Sequence, residues 1–422
     1  MKRILYIAPH SFPVSSSESI CNSKIAYTLA DMGYKVDVFS CSDSYHYPEN
    51  GSLDAILSGN KNLRLFKVKK YPSITRRGSI KANIVSLFRH IRGFIKTGYV
   101  YNGALLPYEI IRRVIEVNGG QQQLPYDLMI TRGYRTDVAG IYLKKHYGLY
   151  WIANWNDPYT EEKFPSPYGK GYAAKLNIFK KKVFEDVQKY ADFHTFPSER
   201  LRDYMLKCFT RVVKENTLII PHMAMNLLFT AKKEISERAL TMVHCGNVRK
   251  PRDPSNFLKA LSLLKRQGLI GSRELIVRFI GMYDSQLPSL VSSLNIEEEV
   301  ELLGSMSYAD CQKEISNCTV SLIIEAICEE GIYLPTKFVD ALQVSTPVFC
   351  VSPPKGTLRD LVEKYGVGYS CNNEDVESIK NSLYHLVCDY RSSTLPKING
   401  DTAPYFFDKN VKLLLESCIN SI

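Results

Sequence analysis

The sequence predicts an α/β protein built from two Rossmann-like parallel-sheet domains that face a central cleft. The chain has 422 residues, which is too long for one typical hydrophobic core, so two domains are expected. In both halves, short apolar runs alternate with segments that carry apolar residues at helical spacing, as in βαβ units. Ligands of such sheets bind outside the carboxyl ends of the strands, so functional residues are expected in the loops that follow the strands.

The first domain is predicted over residues 1–225, with a helix at ICNSKIAYTLADM and strands at RILYIA, GYKVDVFS, DLMIT, LYWIAN, FHTF and TLII. The second domain, 226–400, begins again with the strand LTMVHCG and continues with ELIVRFIG, VELLG, TVSLII and PVFCV. The polar segment TAKKEISERA, residues 230–239, is predicted to link the two.

Cysteine, histidine and apolar patterns exclude several protein classes. The eleven cysteines are scattered without a C-x-x-C pair, which favours a reduced cytoplasm over a secreted disulfide framework. The eight histidines show no metal-ligand spacing, so no metal is expected. No apolar run is long enough to span a bilayer, and the opening MKRILYIAPH predicts a buried strand rather than a signal peptide. We therefore expect a cytoplasmic protein.

The net charge of +11 is concentrated in the first half, where residues 1–220 sum to about +14. No acidic residue lies between Asp54 and Glu109. Within residues 80–97, helical spacing predicts that five apolar residues share one face of a helix, namely Ile84, Leu87, Phe88, Ile91 and Ile95. The basic stretch Lys61 to Lys96 is interpreted first as a surface for anionic lipid headgroups. A solvated helix with its apolar face in the core is the alternative. Nucleic acid is not expected as a partner, because no nucleic-acid-binding signature accompanies the charge.

The stretch GIYLPTKFVDALQVSTPVF, residues 331–349, places a cation at the start of a helix. Pro335 stands where the helix would begin, and Lys337 lies in its first turn. The amino end of a helix dipole is positive, so a lysine there is unfavourable unless an anion is bound nearby. Phosphate is the usual ligand of such a helix start, and Lys337 therefore predicts a phosphate site.

A second basic loop lies in HCGNVRKPRDPSNFLKAL, residues 244–261. Its strand is predicted to end at Gly246, and the following helix to start with Asp253 as N-cap and Pro254 as first helical residue. The planar guanidinium of Arg252 would project over the strand ends and hold a diphosphate. Taken alone, this segment is better interpreted as a solvated basic loop. Two such loops on one sheet edge favour a polyanion held between Arg252 and Lys337.

The loops of the first domain offer three candidates for an acceptor site. Asp157 in NWNDPY either orients or deprotonates an acceptor hydroxyl, or caps the turn that follows it. Arg132 follows the strand DLMIT and is a candidate for an anionic group of the acceptor. His10 ends the first strand and either lines or fills the cleft. His194 and His244 lie within strands and are expected in the core or at a sheet edge.

Taken in order, these segments resemble the GT-B-fold retaining glycosyltransferases of family four, the glycosyl transferases group 1. The two basic loops look like the donor-site signatures of that family, and VELLGSMSYADCQKEISNCTVSLII lies between them at similar spacing. The opening ILYIAPHSFPVSSSESICNSKIAYTLADMGYKVDVFS is also similar. LYWIANWNDPY resembles the segment of one subgroup in which a strand runs into a DPW or DPY sequence. The resemblance covers most of the chain.

The resemblance implies a retaining transfer of one sugar from a nucleotide sugar, with a UDP-sugar as the first expectation. The acceptor would be a glycan or a lipid-linked glycan in cell-surface polysaccharide biosynthesis. The first domain would bind the acceptor and the second the donor, and residues 401–422 would form a helix that packs back on the first domain. No metal and no cofactor besides the donor are implied.

The resemblance also assigns roles by position. Arg252 matches the basic residue that contacts the donor diphosphate and Lys337 matches its lysine partner; with Asp157 they form the catalytic candidates. The predicted donor-binding residues are Ser15, Ser16, Gly246, Asn247, Arg249, Arg252, Gly304, Ser305, Met306, Pro335, Thr336, Lys337 and Asp340.

The sequence departs from the family pattern in two places. Asp340 stands where the second glutamate of a Glu-x7-Glu pair is usual, and Ile332 occupies the position of the first, since Glu329 and Glu330 come too early. The usual glycines of the N-terminal loop are replaced by SSSE, in which Glu18 would repel a phosphate. The alternatives are therefore a non-catalytic scaffold or regulator of a glycan-assembly complex, and a sugar-nucleotide epimerase or hydrolase. An NAD enzyme is not expected, because no G-x-G-x-x-G follows the first strand.

Overall fold

The computed structural model describes residues 2–14, 16–41, 51–69, 80–100, 105–133, 136–225 and 239–420. The chain divides into two compact units. One contains Met1–Pro165, Gly169–Ile220 and Lys412–Ile422, and the other contains Ser166–Tyr168 and Pro221–Val411. Most of the predicted linker, residues 230–238, lies outside the described residues.

The first unit is an α/β layer structure around one parallel sheet. Its strands are Arg3–Ile7 (β1), Lys35–Cys41 (β2), Leu63–Val68 (β3), Leu128–Arg132 (β4), Tyr150–Asn154 (β5), Phe193–Phe196 (β6) and Thr217–Ile219 (β7). Its helices are Ser17–Asp31 (α1), Gly51–Ser58 (α2), Ile80–Thr97 (α3), Leu106–Val117 (α4), Asp137–Tyr147 (α5), Thr160–Lys163 (α6), Ile178–Tyr190 (α7) and Glu199–Cys208 (α8). The strands lie in the order β3-β2-β1-β4-β5-β6-β7.

The second unit repeats this arrangement. Its strands are Leu240–Cys245 (β8), Leu275–Ile280 (β9), Val300–Gly304 (β10), Val320–Ile324 (β11), Val348–Ser352 (β12) and Gly368–Asn372 (β13), in the order β10-β9-β8-β11-β12-β13. Its helices are Ser255–Arg266 (α9), Leu287–Ser293 (α10), Tyr308–Asn317 (α11), Thr336–Gln343 (α12), Thr357–Tyr365 (α13) and Val376–Arg391 (α14). The last helix, α15 at Asp408–Asn420, enters the first unit from Lys412 onward.

The central strands are buried on both faces, and this is why their sequences are continuous apolar runs rather than alternating patterns. In each sheet the chain adds strands on one side of its first strand and then crosses to the other side. The order therefore reverses between β1 and β4 and between β8 and β11. The two parallel-sheet α/β units confirm the predicted fold class, and these two reversal points are where ligands of such sheets bind.

Two strands were not predicted. β3 lies inside the basic stretch and is an edge strand whose Arg64 pairs with the buried Asp37 at 2.6 Å. β13, the sequence GYSCN, is the edge strand of the second sheet. One helix start was placed wrongly: α9 begins at Ser255 with Pro254 as N-cap, and Asp253 instead accepts a hydrogen bond from the Ser255 backbone N–H at 2.9 Å.

Helix α3 presents its apolar residues to solvent. Its large exposed apolar side chains are Ile80, Ile84, Val85, Leu87, Phe88, Ile91, Phe94 and Ile95, with Phe88 at 67 % exposure. The face that meets the body of the unit carries the buried residues Gly93 and Thr97. The alternative interpretation, in which the apolar face of this helix packs into the core, is therefore wrong.

Candidate functional site

Lys337 extends from the first turn of α12 to the carboxyl end of β8. A Cβ atom on residue 246 would stand 2.6 Å from its Cε and 2.7 Å from its Nζ, so only glycine leaves room for this side chain. Gly246 also has a φ of +141°, which other residues rarely adopt. The Lys337 ammonium makes no hydrogen bond or ion pair with any residue that the structure describes.

Arg252 reaches the same place from the loop after β8. Burial and the nearby Arg252 guanidinium lower the pKa of Lys337 to about 8. Arg252 is exposed, and its Nε donates to the Tyr168 hydroxyl at 3.3 Å, with the guanidinium carbon 5.8 Å from the centre of that ring. No carboxylate within the described ranges forms an ion pair with Arg252. Two cations that disfavour each other are thus held together, and a bound anion would relieve both.

Helix α12 begins without a side-chain cap, because its N-cap is Pro335. At the start of α9, by contrast, the Asp253 carboxylate already accepts from the backbone N–H of Ser255. The backbone N–H groups at a helix start are the usual ligands of a phosphate, and the helix dipole adds to their effect. Thr336 is the first residue of α12 and lies beside Lys337. The uncapped start of α12 next to Lys337 makes this edge suited to a polyanion.

His244 was predicted to lie in the core, and its 1 % exposure confirms its burial. The structure adds that its Nδ1 is bonded to the Leu322 carbonyl oxygen at 3.0 Å, while the buried Nε2 has no hydrogen-bond partner in the described part of the chain. Burial and then Lys337 hold the pKa of His244 well below its usual range. The ring is therefore neutral with its proton on Nδ1, and Nε2 is a free acceptor 3.9 Å from the Cβ position of Gly246.

Glu325 was not identified from the sequence. It follows β11 directly, at the point where the strand order reverses, and its Oε2 is shielded from solvent without a hydrogen-bond partner among the described residues. Burial raises the pKa of Glu325 to about 7, although Arg252, Lys337 and Arg359 act in the opposite direction. A carboxylate directly after a buried strand is a signal that sequence reasoning could have used.

Asp340 and Ile332 lie at the positions of the family's glutamate pair. Asp340 shares a face of α12 with Lys337, but its Oδ1 accepts a hydrogen bond from the Tyr308 hydroxyl at 2.5 Å. Its carboxylate is therefore bonded within the unit, and its negative charge acts to raise the pKa of Lys337. Ile332 is buried at 2 % exposure and offers no polar group.

The other predicted donor residues of the second unit are more dispersed. Gly304 is the last residue of β10, and Ser305 and Met306 follow it; β10 is separated from β8 by β9. Asn247 follows Gly246, and its Oδ1 accepts from the Met282 backbone N–H at 3.2 Å. Arg249 is exposed in the same loop. The structure thus brings Gly246, Arg252 and the start of α12 together, and places the β10 loop two strands away.

The N-terminal loop of the first unit ends in a closed helix cap. Ser16 is the N-cap of α1: its hydroxyl accepts from the Ser19 backbone N–H at 3.2 Å, and its own N–H donates to the Ser19 hydroxyl at 2.7 Å. Ser15 lies outside the described residues. Glu18 extends toward the end of β4, where its Oε1 is 3.5 Å from the Cβ position of Gly133. The Ser16 hydroxyl is thus already used within the fold.

The acceptor-side candidates lie at the reversal point of the first sheet and beside it. Arg132 is the last residue of β4 and is buried, and its Nε donates to Asn22 Oδ1 at 2.6 Å. The Asn22 amide in turn donates to the His10 carbonyl oxygen at 2.7 Å. Asp157 is exposed in the loop after β5. Arg132 and the main chain of His10 are thus joined through Asn22, and Asp157 follows the neighbouring strand.

Three further observations concern the chemistry of the described residues. His194 is buried, its Nδ1 accepts from Trp155 Nε1 at 3.0 Å, and burial lowers its pKa to about 3, which confirms its predicted place in the core. No group of three or more His, Cys, Asp or Glu side chains in the described ranges is placed to hold a metal ion. None of the helices described is both long and apolar enough to cross a membrane.

Residues 228–398 match the family model of glycosyl transferases group 1. This range contains both basic loops, the β10 loop and Glu325. No curated protein sequence matches the chain.

Solved structures of low sequence identity have the same fold. HepE from Anabaena, in complex with UDP-glucose, is 13 % identical with a TM-score of 0.69, and the alignment covers all of both chains. Sucrose-phosphate synthase from Thermosynechococcus elongatus is 14 % identical with a TM-score of 0.68, covering 100 % of this chain and 99 % of the other. TarM from S. aureus is 12 % identical with a TM-score of 0.65, covering 100 % and 98 %. The two sheets are therefore the two domains of the GT-B fold, and residues 228–398 carry the sequence signature of the glycosyl transferases group 1.

Proposed function

We propose that the protein is a metal-independent, retaining glycosyltransferase of cell-surface polysaccharide biosynthesis. It would move one sugar from a nucleotide sugar, in the first instance a UDP-sugar, to a glycan or lipid-linked glycan. The observation that carries the proposal is the pair of unpaired cations, Arg252 and Lys337, at the strand ends of the second unit. The family match over residues 228–398 and the UDP-glucose bound to the similar HepE support the class of donor.

The proposed chemistry follows from where charge develops. When the bond between the anomeric carbon and the diphosphate oxygen breaks, negative charge grows on the departing diphosphate. The Arg252 guanidinium, the Lys337 ammonium and the uncapped start of α12 would stabilise that charge in fixed positions. The family resemblance supports retention by attack on the same face of the sugar.

We assign the acceptor to the first unit. Asp157, exposed after β5, would orient or deprotonate the attacking hydroxyl. Arg132, whose Nε is bonded to Asn22, would offer its remaining guanidinium N–H groups to an anionic substituent of the acceptor, and His10, whose carbonyl oxygen is bonded to the same asparagine, would lie beside it.

A binding screen tests the donor site. Thermal unfolding is measured with UDP, GDP, ADP and their sugars, each with and without EDTA. A ligand present at a hundred times its dissociation constant adds about 2.7 kcal/mol to the free energy of unfolding. We expect one diphosphate to raise the unfolding temperature equally in both conditions, which also identifies the base. Loss of the effect in EDTA would contradict metal independence.

Three further measurements, namely partner retention, donor consumption and product configuration, separate the alternative functions. If no nucleotide binds while a protein partner is retained, the scaffold interpretation is correct. If the donor is consumed without an acceptor, the protein is an epimerase or hydrolase. For a transferase, the anomeric configuration of the product, measured by NMR coupling, decides between retention and inversion.

We further propose that α3 rests on an anionic lipid surface at the inner face of the membrane. Eight large apolar side chains of this helix are exposed, and an exposed apolar patch of this kind marks an interaction site. The same helix carries Arg89, Arg92 and Lys96, and no acidic residue occurs in residues 55–108. Apolar side chains with only positive charge among them match a surface of anionic headgroups and would place the protein beside a lipid-linked acceptor.

Vesicle sedimentation tests this surface. The wild type should bind vesicles that contain phosphatidylglycerol, and it should bind pure phosphatidylcholine vesicles at least about tenfold more weakly. The variant F88E/I95E should lose about tenfold or more of the binding to anionic vesicles. L413E alters an equally exposed apolar residue on α15 and is the matched control. Equal binding of F88E/I95E and wild type would refute the proposal, as would a protein dimer that depends on α3.

A further inference from the structure

Glu325 is held at the centre of the second unit's reversal point. Its backbone N–H donates to the Val351 carbonyl oxygen at 3.0 Å, so its main chain continues the pairing of β11 with β12. On the other side, β11 neighbours β8, the strand that leads to Gly246. Both carboxylate oxygens lie 3.5 to 3.6 Å from the point where a Cβ on residue 331 would stand, so the side chain is directed toward the loop that contains Gly331.

The carboxyl group of Glu325 is close to cations but pairs with none of them. Arg252, Lys337 and Arg359 all act on its charge, yet no ion pair joins it to any of these in the described part of the chain. Arg359 is instead bonded to the Pro353 carbonyl oxygen at 3.1 Å. A shielded carboxylate oxygen without a hydrogen-bond partner is costly, and such an atom at a binding edge is suited to contact a ligand.

A fixed carboxylate beside a diphosphate site creates a conflict, because it would repel the ligand that Arg252 and Lys337 attract. A carboxyl group that gains a proton removes the repulsion and also becomes a hydrogen-bond donor. We propose that Glu325 takes up one proton from solvent when a nucleotide sugar binds at Arg252 and Lys337, and that the neutral carboxyl then donates a hydrogen bond to the bound ligand. This inference rests on the proposed donor site.

The surrounding groups leave Glu325 as the group that titrates near neutral pH. Burial raises the pKa of Cys328 to about 11 and that of Cys350 well above its usual value, and it also raises the pKa of Tyr168. These three stay neutral, and so does His244, whose pKa is strongly lowered.

The remaining groups carry positive charge: Arg252 and Arg359 throughout, and Lys337 up to a pKa of about 8. The pKa of Glu325 itself lies near 7 before the ligand binds. A bound diphosphate would raise it further. Affinity should therefore be constant below pH 6, fall as the pH rises through 7, and fall again above 8 as Lys337 loses its proton.

Calorimetric titration with UDP-glucose tests the inference in the unmodified protein. A nucleotide sugar has no second phosphate ionisation near neutral pH, so proton exchange reports on the protein. We expect the dissociation constant to rise by about fivefold between pH 6 and 8, which corresponds to a shift of one unit in the pKa of Glu325 on binding. Titrations at pH 7.5 in Tris and in HEPES, which differ in ionisation enthalpy, should give an uptake of between about 0.5 and one proton.

Three variants assign the proton. E325Q keeps the shape and a hydrogen-bond donor without a charge, so its affinity should fall less than that of the wild type between pH 6 and 8. Its proton uptake at pH 7.5 should drop to the share that Lys337 supplies, at most about 0.25 proton. E325A should bind weakly at all pH values. E329Q changes an exposed glutamate in the same loop and should behave as the wild type.

Two outcomes would overturn the inference while the donor site stands: binding by the wild type without proton uptake, or the same pH profile in E325Q. Failure of UDP-glucose, ADP-glucose and GDP-mannose to bind at any pH would instead overturn the proposed function, and this inference with it.

Discussion

The two sheets reverse their strand order at equivalent places, and a cation lies beside each of these places. The two cations, Arg132 and Lys337, differ in whether another residue is bonded to them. In the first unit, Arg132 is buried and donates to Asn22, and α1 begins with a closed cap at Ser16. In the second unit, Lys337 has no partner in the described residues and α12 begins without a side-chain cap. The helix after β4, α5, also begins without a side-chain cap, so the two places differ in their cations: Arg132 is bonded within the fold and Lys337 is not. The cation without a partner thus singles out the second sheet edge as the candidate anion site.

The difference carries an energetic consequence. The pKa of Lys337 is lowered from 10.5 to about 8, so the folded protein disfavours the charged form that dominates at neutral pH. Because the folded pKa lies below the unfolded one, the destabilisation is fully present below pH 8 and disappears as the pH rises from 8 toward 10.5. Such a cost is typical of a functional position, where stability is given up for binding.

Replacing Lys337 by methionine should separate function from stability. K337M keeps the length of the side chain and removes the charge, so kcat/KM and donor affinity should fall by about a hundredfold or more. The free energy of unfolding at pH 7 should rise by about 1–3 kcal/mol, since the disfavoured charge is gone. Activity is measured with the donor found by the binding screen, and stability by calorimetry.

K259M is the matched control, since Lys259 is exposed on α9 of the same unit. K259M should change neither the catalytic efficiency nor the free energy of unfolding. If K337M stayed active and became less stable, Lys337 would stabilise the fold, as Arg132 does through its bond to Asn22, and the contrast between the two reversal points would be wrong.

The strand pattern and the two basic loops were predictable because they depend on local sequence. Apolar runs follow from burial on both faces, and a lysine in the first turn of a helix conflicts with the dipole wherever it occurs. The edge strands β3 and β13 escaped prediction because edge strands have fewer buried positions, as the exposed Arg64 and Leu65 of β3 show. For α3, periodicity identified an apolar face but could not show whether another element covers it.

Glu325 and His244 could not be assigned for a different reason. Each follows or ends an ordinary apolar run, and its role depends on β8 and β11 being neighbours in the sheet, although they are about eighty residues apart. Conversely, Asp340 matched a family position in sequence, but Tyr308 of another helix occupies its carboxylate. Partners supplied by distant elements are the part of the site that one sequence does not contain.

Arg132 allows the comparison to be tested from the other side. R132M should lower the free energy of unfolding of the first unit by about 1–3 kcal/mol, because the fully buried Asn22 loses the donor to its side-chain oxygen. Both tryptophans of the chain, Trp151 and Trp155, lie in this unit, so their fluorescence during urea unfolding reports on it selectively.

R113M is the control for this experiment. It removes a partly exposed arginine whose Nη1 lies 3.2 Å from Oε1 of the exposed Glu116. Such surface ion pairs contribute less than about 1 kcal/mol to the free energy of unfolding. If R132M lowers the free energy of unfolding and K337M raises it, the cation at the first reversal point stabilises the fold and the cation at the second destabilises it. Equal signs would mean that the Asn22 bond does not compensate the burial of Arg132.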